Sequence, residues 1–258
     1  MMQYLGLELY KMKHKGMFLT FLLLLGVELL FVFSNYGRNE NFLSMISDPS
    51  APAWEDLIVG PAVLNGLFFS IIVAVLSSRI SDMEHMGNTW KLLECNNQSK
   101  TSIWFCKYII VSSFMLVAIL IQVISIIYYG KSVGVVAPIP VKTLIDFVVG
   151  TAMVTFVVIT IQLFLSLMIS NQLISMAVGM IGALIGFVSS LLPPIVRNIL
   201  IWGNYAELMV ISQDVSNGDL KNNDLVVRSI DFVPLIIVFI FGIIIFILFF
   251  YKFKQKEC

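Results

Sequence analysis

Six stretches of the chain, roughly residues 17–34, 58–78, 107–129, 144–169, 173–192 and 233–251, are each long and apolar enough to cross a bilayer. A helix needs about 20 mostly apolar residues to do so. The fourth and fifth run together, with only Ser170, Asn171 and Gln172 between them. A single pass of that combined length would overshoot the hydrocarbon region, so a tight hairpin is expected at 170–172. In lipid the backbone must satisfy its own hydrogen bonds, which leaves helices or a closed barrel. Apolar runs of this length select helices. The expected fold is therefore an all-α membrane protein with six transmembrane helices in a single membrane domain over 1–258.

Composition agrees. The chain is 59% hydrophobic and only 12% charged, where a soluble domain carries about 25% charged residues. The formal net charge is +0, so no basic surplus points to nucleic acid. Cys95, Cys106 and Cys258 form no CxxC pair, and an odd count argues against a disulfide framework. His14 and His85 lie far apart, and no metal-ligand spacing is present. Lys11, Lys13 and Lys15 precede the first apolar run as they would in a signal peptide. That run is too long for one, and no small-residue cleavage site follows, so it is expected to stay as span one.

Orientation follows from the 16 lysines and arginines. Lys11, Lys13, Lys15, Arg79, Lys91, Lys100, Lys107, Lys252, Lys254 and Lys256 fall on one side, close to the span ends. Arg38, Lys131, Lys142, Arg197, Lys221 and Arg228 fall on the other. The richer side is expected to be cytoplasmic. Both termini then lie inside, as an even number of spans requires, together with the loop 79–106. The outer loops around 40–56 and 207–231 are acidic. The N-terminal segment mixes Leu and Tyr with basic residues and is expected to rest on the anionic inner leaflet.

The polar and small residues narrow the reading further. In the inner loop, Ile80, Met83, Met86, Trp90 and Leu93 recur at helical spacing, with Asp82, Glu84, His85, Asn88, Lys91 and Glu94 opposite. That pattern predicts an amphipathic helix at the membrane surface, charges outward, serving as a connector or as a docking element. Glu28 is the one charge well inside a span, and such residues normally face a bundle interior or a cavity. It marks a candidate substrate path, with Gln122 and Gln162 as possible partners. Ser175, Gly179, Gly182 and Gly186, with Ser190 beyond them, line one side of span five and predict close helix packing, within the chain or between subunits. The Gly130-Lys131-Ser132 triplet is no phosphate loop: Ser125 stands where the motif needs glycine, and no strand precedes it. The stretch 193–211 is broken by Pro193-Pro194 and Trp202-Gly203. It reads as short helices at the outer interface, either a gate or an anchor with Trp202 and Tyr205 at headgroup depth.

Glu84, Gly87, Thr89, Leu92 and Leu93, followed by Lys107 where span three opens, resemble the pattern of ABC-2-type permeases, with Asn88 standing between Gly87 and Thr89. The resemblance extends over the whole chain: six spans, a basic N-terminal segment, a short turn between spans four and five, and a semi-polar stretch before span six. Length and style look most like the permease subunits of lantibiotic (antimicrobial peptide) immunity transporters. The resemblance implies a permease of the bacterial cytoplasmic membrane that exports its cargo, an antimicrobial peptide, at the expense of ATP. It implies that Glu84, Gly87, Asn88, Thr89, Trp90, Lys91, Leu92 and Leu93 form a coupling helix docked on a separate nucleotide-binding ATPase subunit, which the N-terminal helix also touches. ATP and Mg would be bound there and no cofactor by this chain. A second permease, identical or related, would complete the cargo path, and short re-entrant helices would precede the last span. Another amphipathic or lipid-like cargo is the alternative within the class. An ion-driven secondary transporter would need several buried ionisable groups, where only Glu28 qualifies. A non-transporting membrane scaffold would need no ATPase at all.

Overall fold

A computed structural model describes residues 2–13, 16–86, 100–213 and 225–255. In chain order the elements are α1 (Met2–Lys13), α2 (Met17–Tyr36), α3 (Glu40–Met45), α4 (Ala53–Met86), α5 (Lys100–Val133), α6 (Val141–Met168) and α7 (Gln172–Val188). A 3-10 turn (Ser189–Leu191), α8 (Pro194–Ile199) and a 3-10 segment (Ile201–Leu208) follow. Strands β1 (Ile211–Gln213) and β2 (Leu225–Val227) and the last helix, α9 (Phe232–Gln255), complete the chain. Six helices, α2, α4, α5, α6, α7 and α9, are long and apolar enough to cross a membrane, so the chain is an all-α multi-pass membrane protein. Among the described residues there is also an antiparallel two-stranded ribbon, β1 on β2.

The hairpin between α6 and α7 is built by its polar residues. The Asn171 side chain accepts from the Leu173 N–H and caps α7. Gln172 donates to the carbonyls of Ser166 and Ile169, at the end of α6. These otherwise orphaned terminal groups are what a helix end in lipid must satisfy.

Helices α4 and α5 overrun the spans read from hydropathy. Each has 34 residues, about 51 Å at 1.5 Å per residue, against a hydrocarbon core of about 30 Å. Both therefore project beyond it. Residues 79–86, expected as the start of a separate surface helix, instead continue α4.

Pro61 sits inside α4 and removes one helical donor. One residue earlier the Tyr36 hydroxyl meets the helix. It accepts from the Gly60 N–H at 3.1 Å and donates to the Asp56 carbonyl. Gly60 leaves room for this, since a Cβ there would lie 3.0 Å from the Tyr36 ring. Tyr36→Phe removes both bonds and is expected to lower stability by about 1 kcal/mol. Thermal unfolding of the purified protein in detergent checks this.

Helix α4 is the hub, with its broadest contact against α7. The small residues of α7 make that contact possible. Backbones cross at Gly186 and Gly66, where an added Cβ on Gly186 would lie 2.7 Å from the Gly66 oxygen, and Gly179 faces Ala74. Gly182 lies under the Trp202 indole. Ser175, Gly179, Gly182 and Gly186 thus all face the interior of their own chain, and all are buried. The opposite face of α7, with Leu173, Ile181 and Leu184, is exposed, as is one face of α2. Helix α9 is peripheral and packs mainly on α6, with Phe164 and Phe249 stacked at 3.6 Å.

Candidate functional site

Two polar centres lie inside this apolar bundle. The first joins α1 to the projecting ends of α4 and α5. Lys107 is wholly buried, and its ammonium reaches Glu8 Oε2 at 2.7 Å, Glu84 Oε1 at 3.2 Å and the Ile80 carbonyl at 2.9 Å. An ammonium has three protons to give, and three acceptors surround it. Lys11 adds a second cation, 2.9 Å from Glu8 and 3.0 Å from Glu84. Two carboxylates and two ammonium groups balance. Burial lowers the Lys11 affinity for its proton, but its bonds to Glu8 and Glu84 outweigh that and hold it above its ordinary value. It therefore stays charged at neutral pH. Beside the cluster, His85 Nε2 lies 3.3 Å from the Ser166 carbonyl and ties the end of α4 to α6.

This arrangement corrects the expected face of Glu84. Spacing set it among the outward charges, yet it is 1% exposed. Its partners come from α1 and α5, which helical spacing along α4 alone does not reveal. Gly87, Asn88, Thr89, Trp90, Lys91, Leu92 and Leu93 lie outside the described residues. What is described is their mounting: α4 enters the stretch 87–99 and α5 leaves it, and the two are pinned together by Lys107 and Glu84. Glu8 and Lys11 were not singled out from the sequence. Their signal was an i,i+3 charge pair in an otherwise apolar N-terminal helix.

The second centre is at mid-depth. Gln122 of α5 donates to Glu28 Oε1 of α2 at 2.8 Å and to Asn65 Oδ1 of α4 at 2.8 Å, while Asn65 donates back to Gln122 at 3.2 Å. All three are 0% exposed. The other carboxyl oxygen of Glu28, Oε2, has no hydrogen-bond partner among the described residues. Of the two glutamines considered as partners, Gln122 is the one. Gln162 instead donates to the Ser175 carbonyl and hydroxyl at 2.7 and 3.2 Å, holding α6 to α7, so its place is in helix packing rather than beside Glu28.

The 3-10 segment 201–208 turns back into the bundle among α4, α6 and α7. Tyr205 is 0% exposed, its ring edge-on to Phe69 and its hydroxyl 2.9 Å from Thr155 Oγ1. Tyr205 is therefore not at headgroup depth. The segment is held at its outer end by Glu207, which accepts from Arg197 Nε at 2.8 Å and from Arg228 at 2.9 Å. Among the described residues no cluster of His, Cys, Asp or Glu could hold a metal ion.

The family described as ABC-2 family transporter protein matches residues 4–186, from α1 into α7. No curated protein and no solved structure matches the chain.

Proposed function

The chain belongs to the ABC-2 transporter family, and from that premise we propose that it is the permease subunit of an ATP-driven exporter, coupled through residues 84–93 to a separate nucleotide-binding subunit. The observation that supports this best is the buried Glu8–Lys107–Glu84 clamp at the base of the stretch 87–99. A loop that transmits domain closure needs a stiff mounting, because coupling travels through packed elements with discrete arrangements rather than through slack chain. The clamp makes α1 and the ends of α4 and α5 one body, so a push on the stretch 87–99 is passed to two spans at once. Glu84 acts here from the inside, as part of the mounting; Gly87, Asn88, Thr89, Trp90, Lys91, Leu92 and Leu93 supply the docking surface. ATP and Mg are bound by the partner, and no ATP-binding loop is assigned to this chain.

A second permease, identical or related, packs on the exposed apolar faces of α2 and α7. The cargo is an antimicrobial peptide of the lantibiotic type, moved out of the bacterial membrane past Glu28 and Gln122. A buried carboxyl without a cationic partner and acidic outer loops both suit a cationic cargo.

Co-purification tests the class: the tagged permease is expected to capture an ATPase subunit and to raise its ATP hydrolysis in proteoliposomes. Trp90→Ala is expected to weaken that association by about 2 kcal/mol, as for tryptophans central to interfaces. That is about thirtyfold in apparent affinity, read by titrating the ATPase subunit. Undiminished affinity would remove the docking role. Unaltered lantibiotic sensitivity of cells with and without the active complex would remove the peptide cargo alone.

A further inference from the structure

Between α5, α6 and α9 a groove of 390 Å³ opens sideways, at span depth, and its lining is almost wholly apolar. Leu116 and Val149 form its rim, 52% and 44% exposed, and Met115, Ile119 and Thr155 form its floor, each 2% exposed or less. The groove lies on a face of the bundle made by span helices, so the medium in front of it is the bilayer interior.

The floor is what distinguishes it from an ordinary lipid-facing seam. Thr155 borders the groove and bonds, at 2.9 Å, to the Tyr205 hydroxyl behind it. Ile119 borders the groove one helical turn before Gln122, which holds Glu28 at 2.8 Å. Through Tyr205 on one route and Gln122 on the other, the groove's floor is thus linked to a buried carboxyl whose Oε2 lacks a hydrogen-bond partner among the described residues. Asn65 and Gln122 are neutral amides, and Tyr205 is a phenol.

The geometry points to a binding site for a cationic amphiphile taken from the bilayer, with its apolar chain in the α5–α6–α9 groove and its ammonium or guanidinium group at Glu28. The charge complementarity selects the occupant: an anionic amphiphile is repelled by the carboxylate and a neutral hydroxyl offers Oε2 only an ordinary hydrogen bond, whereas a cation supplies a charge-assisted donor, roughly twice as strong. Access to Glu28 requires the Thr155–Tyr205 bond to open, which makes the 201–208 segment the movable wall of the site. The inference deepens, and for its purpose rests on, the exporter reading, since it names a cargo chemistry and a lateral route for it.

The test uses the full chain in phosphatidylcholine nanodiscs without ATPase. Its probes are a diazirine-bearing alkylammonium and the alcohol of the same chain, with crosslinked residues located by mass spectrometry. The ammonium probe is expected to label groove residues such as Leu116 and Met153 about tenfold more than the alcohol, the ratio that corresponds to about 1.4 kcal/mol of binding. Val149→Trp, at the exposed rim, is expected to abolish groove labelling by both probes, and Glu28→Gln to equalise them. Labelling spread evenly over the exposed residues of α9, such as Ile237 and Leu248, would mean bulk lipid contact only and overturn the site. A preference for ammonium that survives Glu28→Gln would overturn the role of the carboxyl. Should Glu28→Gln not fold, equal labelling of the wild type by the two probes serves the same end. Because no ATPase is present, failure here leaves the coupling reading standing, and failure to capture an ATPase leaves this result untouched.

Discussion

Lys107→Met is expected to destabilise the folded permease by about 3–5 kcal/mol, the cost of removing one partner from a buried ion pair. Methionine matches much of the lysine's length, so little of the loss comes from packing. The loss comes from Glu8 and Glu84, 4% and 1% exposed, which lose the ammonium between them. Lys11 touches both carboxylates, but its side chain is 34% exposed, and one cation does not balance two buried anions. Helix α1 should come free of α4 and α5, read as faster protease cleavage near the N-terminus together with a lower unfolding temperature in detergent. Lys11→Met is the control: a part-exposed ammonium contributes roughly 0–1 kcal/mol. Adding Glu8→Gln and Glu84→Gln to Lys107→Met should restore much of the loss, since a neutral set carries no uncompensated charge. Equal effects of Lys107→Met and Lys11→Met would sink the clamp. If the clamp is also the mounting of the coupling stretch, the partly rescued triple variant should fold yet stimulate ATP hydrolysis poorly. A role in folding alone would not produce that separation.

The bundle was legible in the sequence because lipid enforces a simple rule: spans are apolar, and turns collect what is not. The hairpin at Asn171 and Gln172 followed from that rule, and so did the number of spans. The ends of α4 and α5 were not legible, because hydropathy reports where the bilayer stops and the helices continue past it. The inward turn of Glu84 was hidden for a related reason. Periodicity compares residues within one helix, while the burial of Glu84 is decided by Lys107 and Glu8, which sit on two others. Glu28 was legible as a charge that needs company. That Gln122 keeps it company, and Gln162 does not, depends on how α5 and α6 are rotated about their axes. For Tyr205 the sequence left a gate and an interfacial anchor open, because an aromatic residue near Pro193-Pro194 suits either; the 3-10 segment carries it inward to Thr155, which disfavours the anchor.

Gly186→Ala offers the second large effect, and it tests the joint on which the two polar centres depend. Alanine in a helix ordinarily gains about 0.5–1 kcal/mol over glycine. Gly26 of α2, with nothing within 4 Å of its would-be Cβ, should show that gain. At Gly186 the sign should reverse. The new methyl would lie 2.7 Å from the Gly66 carbonyl oxygen and 3.0 Å from its Cα, and backbone, unlike a side-chain tip, has no rotamer to swing away. Helices α4 and α7 must then part, at a cost of about 1–3 kcal/mol as for other overpacked interiors. Gly66→Ala should behave alike, and the double variant should cost less than the sum, because helices already forced apart by one methyl accommodate the second. Thermal unfolding of the four proteins in one detergent decides the matter. A Gly186→Ala variant as stable as Gly26→Ala would mean that the backbones of α4 and α7 do not cross there. If they do cross, α4 carries the strain along its length, since the same helix bears Asn65 one residue before Gly66 and Glu84 at its far end. Loosening one glycine contact is then expected to weaken the grip on Glu28 and the mounting of the coupling stretch together, which a crossing that served packing alone would not do.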